Sequence, residues 1–353
     1  MGKKFSAVIG RWYDHNMRDL PWRNFADPYT IWLSEILLQQ TRVDQGLPYF
    51  LKFKETFPSV DDLAEASLDR VLKLWQGLGY YSRARNMHAT AQYISHTLDG
   101  KFPNNYKDLL RLKGVGEYTA AAVASIAFNE ALPVVDGNVI RVISRYFGLE
   151  EAVDSAAGMK SIKEICAREL DQIKPGKHNQ ALMEFGSLQC KPKNPACDEC
   201  PLKGTCFAYQ KDLVDSLPWK ERRTKVKTVF YHFMVIKQGE EICLEQRPAR
   251  GIWNSMYQFP LFETEKEKFV LDSGNLSDIL LEMGLKLEGG VIEGVHKATH
   301  LLSHRKIVAS FWEISCKKVQ IHPNSAIFVI AKNRIQQEYA VPRLIEKYIS
   351  SKS

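Results

Sequence analysis

The chain has 353 residues, long enough for two or three domains with cores of their own. Lysine and arginine exceed aspartate and glutamate by 48 to 41, a formal net charge of +7, which suits a polyanionic partner without demonstrating one. No apolar run is long enough to span a bilayer, and no apolar stretch of a signal peptide follows Met1-Gly2-Lys3-Lys4, so the expected location is cytoplasmic, nucleoid-associated in a bacterium.

In chain order, residues 5–16 read as an amphipathic helix that Asp19-Leu20-Pro21-Trp22-Arg23 breaks. A second helix is expected from about Thr30 to Val43. Glu35 lies one turn after Ile31 and close to one turn before Leu38, within a largely apolar surface. A carboxyl among apolar side chains keeps its proton more tightly, which suits a general acid, although a solvent-facing glutamate fits the spacing as well. In Leu74 to Asn86, Gly77 and Gly79 lead into the pair Tyr80-Tyr81, and Arg83 and Arg85 follow. This reads as a loop able to wedge into stacked bases beside phosphate contacts, with core packing the alternative for one tyrosine.

Residues 106–141 organise the rest. Tyr106 to Leu112 has a helical pattern, Gly114 and Gly116 flank Val115, and an alanine-rich helix is expected from Thr119. Two helices joined by a glycine-bearing turn can leave backbone N–H groups at the second helix's start for an anion, a grip that reads no base sequence. An ordinary helical hairpin has the same outline. Asp136 follows in Val134-Val135-Asp136-Gly137-Asn138-Val139, ahead of a helical run to Phe147. Asn138 is the expected N-cap, which sets Asp136 near the helix's positive end and favours its ionised form.

Helix resumes from Met159 to Ile173. Seven cysteines are present, and four of them form the spacing Cys190-x6-Cys197-x2-Cys200-x5-Cys206. An odd total in a reducing compartment argues against a disulfide framework, and close-set thiolates point to a metal site. Spacing alone admits zinc or an iron–sulfur cluster. Lys191, Lys193 and Lys203 lie beside this loop and are placed to reach phosphates. Residues 217–227 read as a charged linker. Strand-like sequence follows, at Thr228 to Ile236, Glu241 to Glu245 and Ile307 to Ile314.

These motifs resemble a known family. The Gly-x-Gly hairpin followed by the Asp136 segment is similar to the helix–hairpin–helix DNA glycosylases. Trp32-Leu33-Ser34-Glu35-Ile36-Leu37-Leu38-Gln39-Gln40-Thr41 resembles the signature of MutY-type adenine DNA glycosylases. The cysteine spacing resembles the [4Fe–4S] loop of the endonuclease III and MutY families. Gly251-Ile252-Trp253 through Gln258-Phe259-Pro260 resembles the opening of a Nudix fold whose glutamate-rich metal box is missing at Ser277 to Glu288.

The resemblance implies a multidomain fold. An all-α helix–hairpin–helix core with an iron–sulfur loop is expected over 1–216, with a six-helix module at about 28–134 and a cluster module from 1–27 plus 135–216. A Nudix-like α+β recognition domain is expected over 228–350. It also implies catalysis by Glu35 as acid at adenine N7 and by Asp136 at the sugar, with Tyr118 and Asn138 hydrogen-bonding around Asp136. DNA contacts are implied for Arg23, Gln40, Thr41, Leu78, Tyr80, Arg83, Arg85, Gly114, Val115 and Gly116. Recognition of 8-oxoguanine is implied for Thr41, Tyr80, Leu302, Ser303 and His304, with Leu302 standing where the family more often has an aromatic. Cys190, Cys197, Cys200 and Cys206 would hold one [4Fe–4S] cluster. The implied activity is base excision of adenine opposite 8-oxoguanine or guanine in duplex DNA, by a monomer.

The two carboxyls fit such chemistry, since cleaving a glycosidic bond through an oxocarbenium-like sugar divides the work between an acid and a stabilising carboxylate. Their surroundings, an apolar stripe and a helix N-terminus, are expected to push their protonation in opposite directions. Three other readings compete. An endonuclease III-like glycosylase/lyase would carry a Schiff-base lysine two residues after Gly116, where this chain has Tyr118. A lesion-binding protein without catalysis conflicts with the presence of both carboxylates. A Nudix hydrolase with a DNA-binding extension lacks its metal box.

Overall fold

The computed structural model describes residues 2–23, 27–221, 226–264, 269–302 and 304–352. It is helical first and mixed α+β afterwards, and it divides into two compact units. One comprises Met1–Glu65 with Asn86–Arg222, the other Ala66–Arg85 with Arg223–Ser353. No helix among the described residues is long and apolar enough to cross a membrane.

In the helical unit α1 (Gly2–Asn16), α2 (Pro28–Leu38), α3 (Val43–Thr56) and α4 (Val60–Glu65) precede the excursion of the chain into the other unit. That excursion holds α5 (Leu68–Leu74) and the start of α6 (Ser82–Thr97). The helical unit continues with α7 (Tyr106–Leu109), α8 (Glu117–Phe128), α9 (Gly137–Phe147), α10 (Ala156–Glu169), α11 (Pro175–Leu188) and α12 (Phe207–Gln210). Asp27 caps α2 by accepting from Thr30 N (2.9 Å), and Pro28 occupies its first turn, where a missing N–H costs nothing. Tyr29 to Ser34, Ile36 and Leu37 are all buried, so α2 is a central helix rather than an amphipathic one, and it packs on α8. A second core joins α1, α9 and α11 through Phe5, Ile9, Val139, Val142, Ile143 and Phe185.

Several expected boundaries shift by a few residues, and two of the shifts bear on the site. α2 stops at Leu38 instead of running to Val43, because the chain turns at Gln40, which adopts a left-handed φ of 54°. The N-cap of α9 is Asp136 itself rather than Asn138, since the Asp136 carboxylate accepts from Val139 N at 2.7 Å.

The second unit is built on a sheet of order β3-β2-β1-β7-β6, with β4 pairing β1 and β9 pairing β2. Its strands are β1 (Lys227–Gln238), β2 (Glu241–Gln246), β3 (Tyr257–Gln258), β4 (Leu261–Thr264), β6 (Val291–Leu301), β7 (Arg305–Ser315) and β9 (Ile327–Ala331). β5 (Leu285–Glu288) and β8 (Lys318–Ile321) form a separate pair. β1 and β7 run parallel through the centre, Phe233 beside Phe311. Alternate residues of β7 face opposite ways, as strand pleating requires. Trp312 and Ile314 join the core with α13 (Leu276–Glu282), while Phe311 stacks on Tyr348 of α15 (Arg343–Ser350), ring centroids 4.2 Å apart. Short α14 (Ile335–Glu338) precedes α15.

Residues 66–85 are fastened to this α+β scaffold by polar contacts. Tyr257 donates its hydroxyl to Asp69 (3.0 Å), and Lys73 Nζ donates to the carbonyls of Gln336 (2.6 Å) and Tyr339 (3.0 Å). Gln76 Nε2 donates to Glu346 Oε1 (3.0 Å), and Arg85 donates to the Asn254 carbonyl (2.8 Å).

Candidate active site

Glu35 sits on the last turn and a half of α2, its neighbours Ser34 and Ile36 buried and its own carboxyl only partly reached by solvent. Protein atoms surround the carboxyl closely enough that burial pushes its pKa up to about 7. A hydrogen bond from Tyr118 opposes the shift, and the charge of Asp136 adds to it. Tyr118 stands on the first turn of α8, its hydroxyl also 3.4 Å from Met183 Sδ. Burial, together with the two carboxylates, keeps that phenol protonated. Beside it Thr119 Oγ1 accepts from Gln39 Nε2 at 3.0 Å, which ties the end of α2 to the start of α8.

Asp136 uses both oxygens. One accepts from Val139 N, the other from Asn138 Nδ2 at 2.8 Å. Burial raises its pKa, while these bonds and the charge of Arg141 pull it down. The expectation of opposite shifts is therefore corrected. Both carboxyls are raised because protein surrounds both, and they differ in how many donors counter the desolvation.

Arg141, which the sequence reading passed over, connects this aspartate to the cysteine loop. Its guanidinium donates to Asn138 Oδ1 (2.9 Å), to the Gly186 carbonyl (2.6 Å) and to the Cys190 carbonyl (2.7 Å). The signal available in sequence was its position one turn after Gly137 on the helix that Asp136 caps. Arg145, one turn further, donates to the Lys191 carbonyl (2.7 Å) and lies 3.6 Å from Cys190 Sγ.

Cys190, Cys197, Cys200 and Cys206 line one recess walled by Val142, Phe185 and Leu202. Burial raises the pKa of Cys197 and Cys200, and the sulfurs of Cys190 and Cys206 add to the shift. Four soft donors lining one apolar recess, with Arg145 against one of them, are of the chemical kind that holds an iron–sulfur group.

The hairpin turns between α7 and α8. Gly114 has φ 79°, and a side-chain carbon there would lie 2.6 Å from Asn86 Cβ, so only glycine fits. Val115 is buried and anchors the turn. Gly116 is the N-cap of α8, exposed, with no side chain to cap the helix and open space before it. Gln40 is exposed and Thr41 partly so, directly after α2.

The other implied contact residues divide by exposure. Tyr80 is 47 % exposed with φ 48°, at the tip of a loop whose Gly77 and Gly79 also take positive φ. Leu78 and Arg83 are buried. Arg83 lies 5.0 Å from the Trp75 ring and 5.6 Å from the Tyr80 ring and donates to the Gly79 carbonyl (3.2 Å), so it braces the loop from inside. Arg23 is likewise engaged internally, its guanidinium paired with the buried Glu184 at 2.8 and 2.9 Å together with Arg18. In the α+β unit Leu302 is half-buried and His304 exposed, while Ser303 lies outside the described residues.

Comparison with known proteins defines the class first. Residues 33–168 match the HhH-GPD superfamily of base excision DNA repair proteins, 190–206 the iron-sulfur binding domain of endonuclease III, and 231–351 the NUDIX domain. A thermostable thymine-DNA glycosylase structure superposes with a TM-score of 0.55 at 31 % identity, over 59 % of this chain and 96 % of that one. The endonuclease III–DNA complex, at TM-score 0.52 and 20 % identity over 60 % and 96 %, shares the fold. The chain is a DNA glycosylase with an iron–sulfur cluster loop. Adenine DNA glycosylase of Buchnera aphidicola (subsp. Baizongia pistaciae) is 38 % identical over 73 % of this chain and 74 % of its own. That of Homo sapiens is 41 % identical over 86 % and 65 %. The chain belongs to the adenine DNA glycosylases, a family of N-glycosyl hydrolases.

Proposed function

We propose that this protein excises adenine mispaired with 8-oxoguanine, and with guanine, from duplex DNA. The observation that carries this reading is the pairing of Glu35, held near neutrality, with Asp136, whose two oxygens are fixed by Val139 N and Asn138. Glu35 protonates adenine N7, so that the base leaves neutral. Asp136 faces C1′ and stabilises the oxocarbenium-like sugar, with Asn138 and Tyr118 fixing the geometry of the two carboxyls. Tyr118 occupies the position of the lyase lysine of the rival reading, so the sugar is left as an abasic site without direct strand cleavage.

The adenine must leave the stack to reach these groups. The exposed backbone at Gly114 and Gly116, around the anchored Val115, grips phosphate, and Gln40, Thr41 and Tyr80 meet the bases. Thr41, Tyr80, Leu302, Ser303 and His304 read the opposite 8-oxoguanine. Residues 1–216 serve catalysis and 228–350 recognition, in a monomer. Cys190, Cys197, Cys200 and Cys206 hold a [4Fe–4S] cluster, which when bound locks the loop that Arg141 and Arg145 meet. Four irons and four sulfides per chain are expected, and a single zinc would overturn that assignment.

The test is base release from matched duplexes carrying A:8-oxoG, A:G, A:T and thymine glycol:A, each split for alkali treatment. Cleavage of the adenine strand opposite 8-oxoguanine only after alkali is expected. Direct cutting at thymine glycol with adenine untouched would instead establish the lyase reading.

A further inference from the structure

Arg85 looks in sequence like a phosphate contact, and its position in the fold is different. Its guanidinium donates to the main-chain carbonyl of Asn254 at 2.8 Å, 169 residues further along the chain. Burial lowers its pKa, the mark of a cation turned from solvent toward protein. Asn254 lies in an unusual turn, in which Gly251, Trp253 and Ser255 all have positive φ, 77°, 56° and 61°. Two of those residues carry side chains that rarely adopt such a backbone, so the turn persists only if its surroundings hold it. Trp253 is 9 % exposed, and its ring lies 6.2 Å from Tyr231 on the central strand and 6.0 Å from His300. His300 stands two residues before Leu302, whose N–H donates to the Arg305 carbonyl (2.8 Å), and the His304 carbonyl accepts from Lys227 N (3.1 Å).

At the other end, Arg85 lies in the first turn of α6, four residues after Tyr81, to whose carbonyl its own N–H is bonded at 3.2 Å. Tyr81 in turn accepts the Gly77 N–H with its hydroxyl (3.1 Å), and the 77–81 loop ends in the exposed Tyr80. Contacts thus run from the Tyr80 loop through Arg85 and the Trp253 turn to His300, which the chain joins directly to Leu302, all within a single compact unit.

We propose that Arg85 is a positioning residue that ties the base-wedging loop to the loop reading the opposite base, so that both respond to a lesion as one element. This rests on the roles given above to Tyr80 and His304. A strained turn is suited to the task, because it has few alternative conformations in which to absorb a displacement of either loop.

The test compares single-turnover base release and duplex affinity for A:8-oxoG and A:G, at several salt concentrations. The proteins are wild type, Arg85→Met, Trp253→Leu, the double variant, and the controls Tyr80→Ala and His304→Ala. Each single variant at 85 or 253 should lower the 8-oxoG-to-G preference roughly three- to tenfold, and the double variant should lose no more than the worse single one. The slope of log affinity against log salt should stay at the wild-type value. A uniform loss of affinity for both duplexes, with the salt slope reduced by about one, would make Arg85 a phosphate contact and overturn the proposal. Additive losses at 85 and 253 would overturn it too. Controls that leave the preference unchanged would show instead that the roles of Tyr80 and His304 were wrong. Trp253→Leu removes the His300 contact without touching Arg85, so the question remains answerable if Arg85→Met does not fold.

Discussion

A carboxyl held to about 7 is half protonated at neutral pH, and that sets how Glu35 responds to pH. Base release should fall about tenfold per unit once pH passes well above 7, as the protonated fraction falls. Glu35→Gln should cost roughly 10²- to 10⁴-fold below pH 7 and flatten the profile, so that the cost shrinks as pH rises. The same shift bears on stability. The folded pKa lies above the ordinary 4.5, so the folded chain holds a proton that the unfolded chain has released between those values. Stability is therefore lost as pH rises through that window, up to roughly 1–3 kcal/mol above 7, less whatever solvent relieves at this partly reached group. Glu35→Gln should raise the melting temperature at pH 8 by roughly 2–6 °C and leave it nearly unchanged at pH 4.5. Equal shifts at both pH values would mean that burial is not what Glu35 pays. Asp136→Asn is a different kind of probe. Asparagine caps a helix as well as aspartate does, so the variant should melt like wild type, bind duplex and release no measurable adenine. A large drop in melting temperature would assign Asp136 a structural role instead.

At the scale of the element, the hairpin offers one substitution with two outcomes. Gly114→Ala places a carbon against Asn86 on a backbone with φ 79°, so it should destabilise the fold by about 1–3 kcal/mol. Gly116→Ala meets open space, so it should leave melting unchanged and weaken binding to every duplex alike. If melting of the two variants is indistinguishable, the turn is not built as described. The hairpin itself was legible because glycine spacing and an alanine-rich helix are local signals. So was the body of α2, from its largely apolar run around Glu35. Its end was not, because Gln40 takes a left-handed conformation without the glycine or proline that would announce it. Asn138 and Asp136 both suit a cap, and the choice between them lay in which side chain reaches Val139 N. The inward turn of Arg23, Arg83 and Arg85 was invisible for a related reason. A cation near a helix end reads the same whether it faces phosphate or a distant carbonyl.

At the scale of the molecule, two groups of residues far apart in the chain build the second unit. Residues 66–85 find their hydrogen-bond partners at 254, 257, 336, 339 and 346. A fragment of residues 1–221 should keep the α2–α8 and α1–α9–α11 cores but lose protection of amide hydrogens at 68–85 by at least an order of magnitude. Unchanged exchange there would show that the segment is ordered by its neighbours in sequence. The division of the fold into a helical first part and a strand-rich second part was legible from composition. This excursion was not, because nothing in 66–85 itself distinguishes a helix that packs nearby from one that waits for a remote partner.

That waiting has a timescale. On a ribosome adding about 5–20 residues per second, Arg85 emerges on the order of ten seconds to half a minute before the Asn254 carbonyl it will hold. Through that interval the tyrosine-rich loop is synthesised and exposed while its fastening does not yet exist. The loop therefore gains this fastening only from the C-terminal side, so a premature stop far downstream of the carboxyls would still leave it unfastened.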